Sequence, residues 1–209
     1  MQVLGVFMEH IKKIGIMGGT FNPIHIGHIQ IARSAYDLLK LNGILFIPSG
    51  ISYMKENVLD KEKRVAMTRI AIEQIPYFEL STIETEKLGN SYSFETIAEL
   101  KLQNPDTEYY FLVGADSLFY MEKWYQPEKI FKESMVCVYY RKGFETEDLL
   151  KKIEYLKEKY QCDIKLLSLE PVDVSSSEIR EKVKNGESIK NLVPKEVEEY
   201  IYNNKLYTD

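Results

Sequence analysis

The stretch Ile14-Gly15-Ile16-Met17-Gly18-Gly19-Thr20-Phe21-Asn22-Pro23-Ile24-His25-Ile26-Gly27-His28 decides how this 209-residue chain is read. Residues 14–17 are a short β-branched run ending in two glycines, which predicts a strand entering a tight turn. From Gly27 to about Lys40, the apolar positions Ile29, Ala32, Ala35, Tyr36 and Leu39 recur at helical spacing. Asn42-Gly43 then stops the helix. The segment is therefore a strand, a glycine turn and a helix. The rest of the chain repeats that alternation. Further strands are predicted at 44–47, 109–113, 135–140 and 164–169, with the start of another at 78–80. Helices are predicted over 60–75, 93–102 and 146–160, and from about Ser176 and Pro194. Strands alternating with helices imply a parallel sheet covered on both faces. The expectation is one doubly wound α/β domain with a helical C-terminal part.

Composition agrees with one soluble globular domain: 44% hydrophobic and 28% charged residues, with no internal repeat, low-complexity tract or Gly/Ser linker. Residues 1–10 read as a lead-in and 11–209 as the domain. Lysine and arginine number 27 against 32 acidic residues, a net charge of −5, so a nucleic-acid partner is not expected. Two cysteines, Cys137 and Cys162, exclude a disulfide framework and a four-cysteine zinc site. No apolar run approaches the roughly 18 residues of a membrane span. The N-terminal residues lack the cationic start of a signal peptide. A cytoplasmic protein with no membrane partner is expected.

In doubly wound sheets, ligands bind beyond the carboxyl ends of the strands. The informative residues all fall there, just after a strand or at a helix start. Gly18 and Gly19 let backbone N–H groups approach an anion. His28 sits in the first turn of the following helix, where the dipole favours a phosphate. His25 and His28 can both donate to a polyphosphate, and Thr20 adds a hydroxyl. A histidine pair at this spacing could instead be half of a metal site, but no cysteine or further histidine lies nearby in sequence to complete one. A second such segment is Val174-Ser175-Ser176-Ser177-Glu178-Ile179-Arg180. Ser175 or Ser176 suits an N-cap, Ser177 and the first-turn N–H groups can meet a phosphate, and Arg180 reaches the same anion one turn later. Alone, this would equally describe a capped surface helix with a solvated arginine.

Together the two segments resemble a known family. GGTFNPIHIGH is similar to the HxGH signature of the nucleotidylyltransferase superfamily, and VSSSEIR to its ISSTxIR motif, with Val174 for Ile and Ser177 for Thr. The resemblance implies a Rossmann-like nucleotidylyltransferase fold. It also implies ATP binding by Gly18, Gly19, Thr20, Phe21, His25, His28, Ser175, Ser176, Ser177 and Arg180. His25, His28 and Arg180 take the catalytic roles.

The middle of the chain selects the acceptor. Gly114-Ala115-Asp116-Ser117-Leu118 resembles the GxDxL segment of nicotinate mononucleotide adenylyltransferases, where the glycine and aspartate contact the adenosine side. The alternative for Asp116 is an N-cap, which is compatible with ligand binding. Trp124, the only tryptophan, stands where that family has its nicotinate-stacking ring. Ser91-Tyr92-Ser93 resembles its SYT stretch at a helix start beside the nicotinate. The resemblance thus assigns Tyr92, Ser93, Trp124, Lys55 and Arg141 to nicotinate mononucleotide. Two segments depart from the pattern: Ser52-Tyr53-Met54-Lys55 replaces Pro-Pro-His-Lys, and Arg141-Lys142-Gly143 replaces Arg-Pro-Gly. Asn22 also stands for the commoner Asp. Met8-Glu9-His10 looks like a start in this family, so Met1 to Phe7 are expected to be an upstream extension.

The implied reaction joins ATP and nicotinate mononucleotide, with Mg²⁺ carried by the ATP phosphates and no dedicated protein metal site. Other acceptors of the superfamily, pantetheine phosphate and glycerol phosphate, fit GADSL, KW and SYS less well. An aminoacyl-tRNA synthetase shares HIGH but would need a KMSKS-like string, which is absent. An idle nucleotide sensor would have lost His25, His28 or Arg180. Tyr200-Ile201-Tyr202 suits either a homo-oligomer interface or the core.

Overall fold

Six short runs rich in β-branched and aromatic residues form one parallel sheet: β1 (Lys12–Gly19), β2 (Gly43–Pro48), β3 (Phe78–Leu80), β4 (Thr107–Gly114), β5 (Met135–Tyr139) and β6 (Ile164–Leu167). The computed structural model describes residues 11–50, 58–140, 146–169 and 174–208. Strand order is β3-β2-β1-β4-β5-β6, with the topological switch between β1 and β4. Between the strands run α1 (Ile26–Leu39), α2 (Lys61–Ile72), α3 (Ser93–Gln103), α4 (Ala115–Tyr120), α5 (Pro127–Glu133) and α6 (Thr146–Tyr160). After β6 come α7 (Ser176–Lys184) and α8 (Lys195–Asn203).

The doubly wound arrangement follows from strand alternation. Successive side chains of β4 point to opposite faces: Tyr110 and Leu112 join one apolar cluster, Tyr109, Phe111 and Val113 the other. The first cluster also takes residues of α1, α2, α7 and α8, including Ala32, Met67, Ile179 and Ile201. The second takes residues of α3 to α6, including Ile97, Leu118, Ile130 and Leu156. The sheet is thus buried on both faces, as its near-continuous apolar strands require. Tyr200 and Ile201 belong to the first core, whereas Tyr202 is exposed.

Several boundaries differ from the sequence reading. β6 ends at Leu167, two residues short of the predicted end, and α2 ends at Ile72 rather than 75. No helix limits are predicted between β4 and β5, yet the stretch holds α4, a 3₁₀ turn (Met121–Lys123) and α5. These pieces are six, three and seven residues long, too short to carry a helical period. Asp116 is not the N-cap of α4; Gly114 is, and Asp116 lies in the first turn. A Cβ on Gly114 would sit 2.3 Å from Asp116 Oδ1, so only glycine lets that carboxylate fold back over the end of β4. Among the described residues, no helix is long and apolar enough to cross a membrane.

Candidate active site

The end of β1 opens into a loop that the surrounding elements hold at almost every residue. Phe21 adopts φ 49°, a left-handed conformation rare for a bulky side chain. Its ring is 2% exposed, packed on Phe46 and edge-on against His28 at 5.0 Å between centroids. A Cβ on Gly19 would lie 2.8 Å from that ring, so the glycine turn makes room for it. The Phe21 side chain is therefore core, and only its backbone can serve a ligand.

His25 and His28 open α1. His25 is the N-cap residue and is 3% exposed; its ring and that of His28 are tilted 32° to each other with centroids 3.7 Å apart. The His25 backbone N–H donates to His28 Nδ1 at 3.3 Å, which puts the proton of a neutral His28 ring on Nε2. The Ile26 N–H in the first turn is satisfied by Leu192 O at 3.0 Å.

The second predicted segment lands on the first. Ser175 caps α7, accepting from the Glu178 N–H at 3.1 Å. Ser176 Oγ instead donates to Pro23 O at 2.8 Å. Arg180 Nη1 donates to Asn22 O at 2.8 Å and Nη2 to Ser177 Oγ at 3.2 Å. Arg180 is thus pinned over the β1 loop, and the solvated alternative does not hold. Gly18, Gly19, Thr20, Phe21, His25, His28, Asp116, Ser175, Ser176, Ser177 and Arg180 line one cavity of about 490 Å³. Asn22, Val58, Ser117 and Tyr139 complete its wall.

A second cavity of about 380 Å³ adjoins it, sharing Gly18, Gly19, Thr20, Asp116, Ser117 and Tyr139. Gly114, Tyr92, Ser93 and Trp124 line this one, with the exposed Tyr120 and Tyr125 at its wall. Trp124 stands edge-on to Phe111 at 6.3 Å. α3 begins at Ser93 with no side-chain cap hydrogen bond, and its start lines the cleft. Lys55 and Arg141 lie outside the described residues, as does the departing segment 52–54.

These two linked cavities meet at the switch point of a fold that matches known proteins. The cytidylyltransferase-like family model matches residues 16–182. A Clostridium tetani protein named probable nicotinate-nucleotide adenylyltransferase is 42% identical over 199 residues, covering 94% of this chain and 100% of that one. Proteins with the same name from Lachnoclostridium phytofermentans and Carboxydothermus hydrogenoformans are 40% and 39% identical, over 94% and 93% of this chain and 100% and 98% of theirs. The chain belongs to the nicotinate-nucleotide adenylyltransferase family. A solved Plasmodium falciparum nicotinic acid mononucleotide adenylyltransferase, complexed with NaAD, has the same fold, with a TM-score of 0.78 at 22% identity. The match covers 94% of this chain and 97% of that one.

In this nicotinate-nucleotide adenylyltransferase relative, the sequence reading missed several residues around the site. Arg64 on α2 is 2% exposed, and among the described residues its guanidinium donates only to backbone carbonyls: Leu59, Thr20, Ser49 and Gly50, at 2.9, 2.7, 2.8 and 3.3 Å. It ties the β1 loop to the end of β2. Burial pushes its pKa down, offset by Tyr207, Glu62 and Glu84. Glu84 lines the cleft and accepts from Thr96 Oγ1 at 2.9 Å and from the Gly50 N–H. Burial pushes its pKa up, and those two hydrogen bonds oppose the shift. Ser49 Oγ is buried on the same wall with no partner among the described residues. Glu122, beside Trp124, accepts from Lys152, from Lys159 at 2.6 Å and from Tyr155 at 3.2 Å, anchoring the tryptophan segment to α6.

Proposed function

We propose that this chain transfers an adenylyl group from ATP to nicotinate mononucleotide, releasing pyrophosphate and forming nicotinate adenine dinucleotide. One observation carries the reading: the histidine–serine–arginine cavity and the aromatic cleft share a wall at Gly18, Gly19, Thr20 and Asp116. A nucleotide's α-phosphorus held in the first can there meet an acceptor phosphate entering from the second.

The acceptor phosphate is already anionic, so its attack needs no protein nucleophile and proceeds in line. Catalysis then rests on positioning and on stabilising charge at the transferring phosphorus. His28 Nε2–H and His25 serve the α/β-phosphate region, supported by Thr20 and by the backbone at Gly18, Gly19 and Phe21. Ser175, Ser176, Ser177, the start of α7 and Arg180 hold the departing pyrophosphate. Gly114 and Asp116 serve the adenosine side, with the carboxylate accepting from a ribose hydroxyl. Trp124 stacks on the pyridine ring, and the uncapped start of α3 at Tyr92 and Ser93 receives the nicotinate carboxylate. Lys55 and Arg141 are assigned to the acceptor. Mg²⁺ enters with the triphosphate as part of the substrate. Among the described residues, no group of three or more histidine, cysteine, aspartate or glutamate side chains is gathered to hold an ion.

The test uses ATP thiolated at the α-phosphorus with one defined configuration. The dinucleotide should form with inverted configuration. Retention would require a covalent enzyme intermediate and would sink the in-line route; no dinucleotide from unmodified ATP would sink the function.

A further inference from the structure

Tyr207 is a half-buried phenol that lines neither cavity, yet it bonds directly to the phosphate loop. Its hydroxyl donates to Asn22 Oδ1 at 2.9 Å, bridging 185 positions of sequence. Asn22 is 6% exposed, and its backbone carbonyl is the acceptor for Arg180. Residue 22 is therefore held twice, by its side chain from Tyr207 and by its backbone from Arg180. Tyr207 is itself firmly placed. Its ring packs on the apolar cluster of α2 and α8, and Leu206 beside it is 3% exposed. Tyr207 takes φ 62° and Lys205 φ 49°, left-handed conformations that such side chains keep only when their surroundings hold them. Burial raises the phenol's pKa and the nearby Arg180 and Arg64 guanidinia lower it, the burial effect being the larger. The hydroxyl therefore stays protonated and a donor.

We infer that Tyr207 is a positioning residue for adenylyl transfer, fixing the Asn22 side chain so that the loop from Thr20 to His25 presents its donors to the triphosphate. It touches no reacting atom and acts through Asn22. The inference rests on the proposed function, because it assumes that the cavity under this loop takes the triphosphate.

Tyr207→Phe removes one oxygen and keeps the packing. Misplacing reacting groups by about 1 Å costs on the order of a hundredfold in rate, so kcat is expected to fall about ten- to a hundredfold. KM for the acceptor should stay within about twofold, because the cleft at Trp124 is untouched. Calorimetric binding of α,β-methylene-ATP should weaken about fivefold or more, the scale of one lost hydrogen bond. The melting temperature should move by only a few degrees. Asn22→Ala removes the same bond from the other side, and the losses in the double variant should not multiply. Wild-type protein that binds the analogue and a Tyr207→Phe variant with equal binding and kcat would overturn the inference alone. So would a loss that falls equally on acceptor KM and kcat. Wild-type protein that binds no analogue would overturn the proposed function and the inference with it.

Discussion

Replacing Arg64 by methionine tests how the phosphate loop is built. The side chain keeps much of its length and loses four hydrogen bonds, to the carbonyls of Leu59, Thr20, Ser49 and Gly50. Each bond from a charged donor is worth about 1.5 kcal/mol or somewhat more, so the gross loss is about 6 kcal/mol. The guanidinium is buried, and methionine is relieved of its desolvation, which offsets part of that. A net loss of roughly 3–5 kcal/mol remains, a large share of a typical domain's 5–15 kcal/mol. For a chain of this length that lowers the melting temperature by about 10 °C. Scanning calorimetry reads the shift directly. Below that transition the variant is folded but its Thr20 and Ser49 carbonyls are released on the wall of the aromatic cleft, which Thr20 shares with the phosphate cavity, so KM should rise for both ATP and the acceptor. Arg64→Lys keeps the charge and part of the donor set, and should fall between the two proteins. A loss of under about 3 °C in Arg64→Met, with ATP kinetics unchanged, would refute this account of the loop.

His28→Ala should lower kcat by about a hundredfold while raising KM far less, because its contact strengthens as charge develops at phosphorus; steady-state kinetics with both substrates would detect the opposite split. Trp124→Ala should raise acceptor KM by about tenfold with little change for ATP, measured by varying each substrate in turn. Glu122 is held down to about 2, first by the Lys152 hydrogen bond and then by Lys159. A depressed carboxyl stabilises the fold fully above its ordinary value of 4.5 and loses that contribution as pH falls toward about 2. Wild type and Glu122→Gln should therefore differ in melting temperature at neutral pH and converge through that acid window.

Elements with a strong period were legible in the sequence. The limits of α6 coincide with the predicted ones, and α1 begins one residue before Gly27. The two motif segments were also legible, because glycines after a strand and hydroxyls before a helix carry a local meaning. That they close on one cavity was implied only by the fold. Arg64 was hidden because a cation in an amphipathic helix reads as part of a solvated face. Tyr207 and Asn22 are 185 positions apart, and nothing local in either marks the other. The helices α4 and α5 escaped because six and seven residues are too few to display a period, and because Gln126 turns the chain at φ 50° between them. Nothing local marks Glu122, because its partners Lys152 and Lys159 lie on α6, beyond α5 and β5.

The most direct measurement is the initial rate of pyrophosphate release from ATP and Mg²⁺, with nicotinate or nicotinamide mononucleotide supplied in parallel. Release with the nicotinate acceptor, matched by dinucleotide formed and faster than with the amide, is the predicted result. No release with nicotinate mononucleotide, or a preference for the amide, would contradict it.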